Sequence, residues 1–149
     1  MLSLEECAPK RPPRWQKLPL ASGTVQFDTI IGAFCQRGGR FGAHSSNESM
    51  DPVYYKKMAF IAFFNAGVRA LDIRNPFQPK EVGYFIPAIT EKTDKRCVKV
   101  DGQDRCKTAI QTNNVETDAR GYIYIVDRAN TGMHILELGG EARTVAGLK

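Results

Sequence analysis

The chain has 149 residues, 42% of them hydrophobic and 25% charged, so it lies in the globular range and is long enough to bury one ordinary core. Lysine and arginine number 21 against 16 acids, a net charge of +5, but the bases are scattered. With no recognised binding motif and no basic helix, that charge argues against sequence-specific nucleic-acid binding, and no apolar stretch reaches the about 18 residues of a membrane span.

The opening segment, Met1 to Cys7, lacks the basic-then-apolar pattern of a secretion signal. Ala8 to Arg14 is basic and proline-rich, which favours an extended, solvated arm. Residues 1–18 therefore read as a tail or linker, with a proline-rich ligand for another domain as the sharper alternative, and residues 19–149 as the domain. The run Gly38-Gly39-Arg40-Phe41-Gly42 invites a phosphate-loop reading but lacks the Lys-Ser/Thr ending, so a flexible turn is expected. Asn47-Glu48-Ser49 fits a glycosylation acceptor, a triplet common by chance.

Met58 to Phe64 is apolar at consecutive positions, as in a strand covered on both faces, and Tyr122 to Val126 has the same character. Beyond Gly67 the pattern alternates, with Val68, Ala70 and Asp72 pointing one way and Arg69, Leu71 and Ile73 the other. Beyond Gly132, Met133, Ile135 and Glu137 alternate in the same way with His134, Leu136 and Leu138. Asn75 to Pro79 must turn, because proline cannot donate to a sheet ladder, and Lys80 to Ile86 follows as an exposed strand. Residues 88–108 form an excursion in which Asp101-Gly102 sits between equal arms ending in Cys97 and Cys106. Equal arms bring the two cysteines opposite each other, as a disulfide staple or as two reduced thiols. No stretch reads as a convincing helix.

Phe60 to Ile73 and Tyr122 to Leu138 are thus two copies of one unit: an apolar run, a turn ending in glycine, and a run closing on an acid between aliphatics. Gly67 and Gly132 are 65 residues apart, and removing the 21-residue excursion leaves 44, within the about 40–50 residues of a four-stranded propeller blade. The fold class expected is all-β, a β-propeller-type repeat of about two blades and so a partial propeller. The copies should form neighbouring antiparallel sheets, radially packed and related by a rotation. Because a closed propeller needs about four to eight blades, a larger assembly or self-association is expected as well.

Residues 58–85, with Val-Arg-Ala-Leu-Asp-Ile, Arg-Asn-Pro and Pro-Lys-Glu-Val-Gly-Tyr-Phe in that order, resemble the LVIVD-repeat propellers. Residues 113–138 are also similar to NHL-type and gluconolactonase-type blades; the two segments cover about half the chain. The resemblance implies a binding or scaffold protein, often exported or at a bacterial cell surface. The gluconolactonase likeness implies a divalent cation such as calcium on inner strands, with Asn114, Glu116 and Asp127 as ligands assisted by Glu48.

The residues themselves point to the channel-lining strands of such a fold. His44, Asn47 and Glu48 precede the first apolar run, and Gln111 to Glu116, including Asn114, hold the matching place in the second copy. All could face a small-molecule or protein ligand. The simpler reading is that short polar residues at strand ends satisfy backbone and solvent, and His134 stands mid-strand without a companion. Four cysteines, at 7, 35, 97 and 106, form no Cys-x-x-Cys pair for zinc or thiol redox chemistry. Ser45 and Ser46 sit beside His44 outside any nucleophile elbow. The function read from the sequence is a non-catalytic binding or scaffold module needing no cofactor. Its rivals are a metal-dependent propeller hydrolase or lactonase, and a truncated product without activity of its own.

Overall fold

The computed structural model describes residues 36–100 and 102–148; the tail expected at 1–18, Cys7 and Cys35 lie outside them. In chain order the strands are β1 (Phe41–Ser46), β2 (Met58–Phe64), β3 (Val68–Asp72), β4 (Lys80–Phe85), β5 (Lys95–Val100), β6 (Gln103–Thr108), β7 (Thr112–Thr117), β8 (Ile123–Asp127) and β9 (Gly132–Leu136), followed by helix α1 (Gly140–Ala146). The fold is all-β, an antiparallel sheet curled into a half-barrel.

β1 to β4 pair in sequence as a meander, and β7 to β9 form a second meander. We call these the first and second arms. They are joined where β2 meets β7. The two copies of the repeat therefore lie in one continuous sheet, where two separate sheets were expected. The hairpin β5–β6 is a sheet of its own inside the excursion, with Cys97 facing Cys106 and joined to it by a disulfide.

The core fills the space between the arms. Phe60, Ala62, Val68 and Ala70 of the first arm meet Val115, Ile123 and Ile125 of the second, with Tyr54, Met58 and Leu138 at the margins. β2 buries every second residue, as a strand with one core face does. Removing a side chain such as Phe60, 1% exposed, would cost about 3–5 kcal/mol. β8 differs from its expected burial on both faces: Ile123 and Ile125 are buried while Val126 is 45% exposed.

Turns follow from local chemistry. Gly67 ends the β2–β3 turn at φ 72°, and a Cβ there would lie 2.0 Å from the Phe85 carbonyl oxygen, so no other residue fits without moving β4. Between β7 and β8, the Asp118 carboxylate accepts from the backbone N–H of Arg120 at 2.9 Å and of Tyr122 at 3.1 Å. Asn75 closes the turn after β3 by accepting from the Phe77 N–H at 3.2 Å.

Helix α1 corrects the expectation of no helix. Its start, Gly139-Gly140, has no side-chain cap, and the helix is only seven residues long, so neither capping nor periodicity announces it. Packing sustains it, since Ala142, Val145 and Ala146 join the core. Gly147 in the left-handed region closes it by donating to the Thr144 carbonyl at 3.0 Å.

Candidate functional site

Four connections meet at one end of the sheet. The segment 86–94, residues 109–111 and the β8–β9 turn are tied by backbone bonds from Asp94 N–H to Ala129 O, Ala109 N–H to Asp94 O and Arg128 N–H to Gln111 O, and the β2–β3 turn joins them through Asn65 N–H, which donates to Arg40 O at 3.1 Å. Residues 38–40 lie across them, held by two buried amides. Asn65 donates to Gly38 O at 2.8 Å; Gln111 accepts from Arg40 N–H at 3.0 Å and donates to Arg40 O at 3.3 Å. Gly38 and Gly39 are thus a buried clamp rather than the flexible turn expected.

Beside this clamp, β1 and β7 run next to each other. His44 Nδ1 donates to the Asn113 carbonyl at 2.9 Å, which fixes the tautomer because a carbonyl only accepts. Ser45 Oγ donates to the same oxygen at 2.6 Å, so its proton is engaged with backbone and His44 does not act on it. The His44 ring packs edge-on against Phe64, centroids 4.8 Å apart, and the Arg128 guanidinium lies 4.9 Å from the centre of that same ring. Arg128 Nη1 reaches Asn113 Oδ1 at 3.3 Å. Burial, and then the charges of Arg40 and Arg96, lower the pKa of Arg128. The backbones of Arg40 and Arg128 both bond to Gln111, and Arg96 Nη2 donates to the Arg128 carbonyl, so the three arginines are neighbours, with Asp127 opposing their effect on Arg128. Arg96 is paired with Asp94 at 3.1 Å, whereas among the described residues neither Arg40 nor Arg128 has a carboxylate partner. Phe64 itself sits at φ 48°, a backbone region costly for a bulky side chain.

A cleft of about 460 Å³ opens at this end, lined by Arg37, Asn65, Ile86, Pro87, Ile89 and Ile110. Its size falls within the about 300–1,000 Å³ of small-molecule sites.

The residues singled out from the sequence divide between two places. His44 lies in the cluster just described. Asn47 is a strand cap, its Oδ1 accepting from Phe60 N–H at 2.9 Å. Glu116 reaches the β1 side as expected, but its carboxylate accepts from the backbone N–H of Glu48 at 2.8 Å and of Ser49 at 3.3 Å. Asn114 accepts from the Asn113 side-chain amide. Asp127, 6% exposed, accepts from the backbone N–H of Gln111 and, at 2.6 Å, of Ala129. Asn47, Glu116 and Asp127 are therefore engaged with backbone donors. Among the described residues no three His, Cys, Asp or Glu side chains converge to hold a metal ion. Sequence reasoning passed over Asn65 and Arg128, and it named Gln111 as a ligand-facing residue and Arg40 as part of a turn without showing that the two meet. The Gly38-Gly39 pair was the available signal, since adjacent glycines mark close backbone approach as well as turns.

Among the described residues no helix is long and apolar enough to cross a membrane. Comparison of the chain with protein-family models, with curated proteins and with solved structures returned no match.

Proposed function

We propose that the chain is a non-catalytic binding module built from β-propeller-like repeats, its two copies carried as the arms of one continuous sheet rather than as separate blades, and that it stacks on further copies of itself. One correspondence carries this reading. In the first arm Phe60 faces Ala70 and Ala62 faces Val68; in the second, Tyr124 faces Ile135 and Val126 faces Met133. Aligned on their turns, these are the same positions of the repeat. In the first arm they are buried against the second arm, while in the second arm Val126, Met133 and Ile135 are 45%, 61% and 57% exposed. The second arm thus offers solvent the face that the first arm buries, which is the pattern of a rotational repeat awaiting its next member.

The occupant that fits is the far face of another copy's first arm. Ile61 and Leu71 there are half-buried and hold the repeat positions at which the second arm places Ile125 and Leu136 against the first. Such a contact is head to tail and propagates or closes into a ring. The binding surface would be the loop end with its cleft. The metal-dependent hydrolase reading gains nothing from Glu116 and Asp127, whose oxygens serve the backbone.

Thermal melts over a hundredfold range of protein concentration test the proposal. Stacking stabilises the native state by mass action, so the Tm rises with concentration. A Tm that stays constant across the range would sink the stacking.

A further inference from the structure

We propose that the cluster around Phe64, where β1 and β7 meet, binds a small-molecule oxyanion, a carboxylate or phosphate group held between Arg40 and Arg128 with His44 alongside. The inference deepens the binding-module reading and rests on it in taking this end of the sheet as the ligand end.

Like charges gather here against their own repulsion. Arg128 lies over the Phe64 ring, the backbone N–H groups of Arg128 and Arg40 both donate to Gln111, and Arg96 Nη2 donates to the Arg128 carbonyl. The carboxylates in reach are committed elsewhere: Asp94 to Arg96 and to Asn130 Nδ2 at 2.9 Å, Asp127 to two backbone amides. A fold that merely needed stability would neutralise such a cluster or disperse it. An anion relieves it instead, and guanidinium forks match carboxylate and phosphate oxygens two at a time. The aromatic ring supports this, because Phe64 carries both the Arg128 guanidinium, 4.9 Å from its centre, and the tilted His44 ring, 4.8 Å between centroids. His44 spends Nδ1–H on Asn113 O, so Nε2 is the ring atom left to meet a ligand. The left-handed backbone at Phe64 places that ring at the junction at an energetic cost, as strained residues at ligand sites do.

The test is titration of the full chain with inorganic phosphate and, separately, with citrate, at ionic strength held constant with sodium chloride, following Tm and heat of binding. Saturable stabilisation is expected that chloride does not reproduce, and the anion that saturates first identifies phosphate or carboxylate as the group recognised. Arg128→Gln and Arg40→Gln should each weaken binding about tenfold, the loss of one charge-assisted bond. Lys80→Gln removes the same charge at the far end of the first arm and should change affinity less than about twofold. No saturable effect from either anion would overturn the site, as would Lys80→Gln costing as much as Arg128→Gln. If anion binding is absent while the Tm still rises with protein concentration, this inference falls and the stacking module stands.

Discussion

Phe64 of β2 lies opposite Thr112 of β7, and through this one residue pair the first arm continues into the second. Thr112 is fully buried, and its hydroxyl has no hydrogen-bond partner. A buried hydroxyl left unpaired costs about 1–3 kcal/mol, and valine has nearly the same shape without it. Thr112→Val should therefore raise the unfolding free energy by about 1 kcal/mol in urea, with the slope of the transition unchanged. A loss of similar size would show that the hydroxyl is bonded.

Asp127 ties the turn after β8 to the start of β7. Asp127→Ala leaves the buried amides of Gln111 and Ala129 without their acceptor and should cost about 2–4 kcal/mol, at one to two kcal/mol for each orphaned donor. Because the carboxylate is spent on these donors, millimolar calcium should leave the Tm of the wild type unchanged. A saturable rise with calcium that Asp127→Ala abolishes would restore the residue as a metal ligand.

Tyr54 gives the fold an alkaline limit. Its phenol is 2% exposed and donates to the Gly121 carbonyl; burial foremost, then the charge of Asp118, pushes its pKa up to about 12. The folded state thus holds the proton more tightly than the unfolded chain, whose tyrosine titrates near 10.0. The stability this contributes is complete below pH 10 and is lost as pH climbs from about 10 to about 12. Tyr54→Phe should cost about 1 kcal/mol at neutral pH and flatten the fall above pH 10. Parallel stability profiles for the two proteins in that range would refute the assignment.

Much of this architecture is legible in the residues. Alternation at Val68 and Ala70 gave the faces of β3, the Asn75–Pro79 turn was fixed by proline chemistry, and Asp101-Gly102 between equal arms placed Cys97 opposite Cys106, whereas β2, expected to be covered on both faces, has one core face. Each of these signals is local. What escaped was carried by contacts distant in sequence. Gln111 meets Arg40 across 71 residues and Asp127 meets Gln111 across 16, so no spacing reveals that these polar groups serve backbone donors. The cationic cluster was hidden in the same way, since Arg40 and Arg128 are unremarkable until β1 and β7 lie side by side. Helix α1 escaped because its stability comes from Ala142 and Ala146 in the core.

The hairpin should unfold apart from the rest. Its side chains are largely exposed and it forms a separate sheet, so the Cys97–Cys106 bond has mainly local structure to support. Cys97→Ser with Cys106→Ser should destabilise the hairpin by about 2–3 kcal/mol, the usual worth of closing a short loop. Amide exchange would report lost protection over residues 95–108 with protection in β2 and β8 retained. Equal loss in β2 and β8 would mean that the hairpin is part of the cooperative core.

The exposed face of the second arm offers the most direct trial. Light scattering coupled to size-exclusion chromatography should give the wild type a mass that is a multiple of 16.6 kDa, and should return Ile135→Glu, altered at a position 57% exposed in the single chain, to the mass of one chain with its β-sheet signal intact. A wild type that elutes at the mass of one chain at every concentration, and melts cooperatively, would contradict the account.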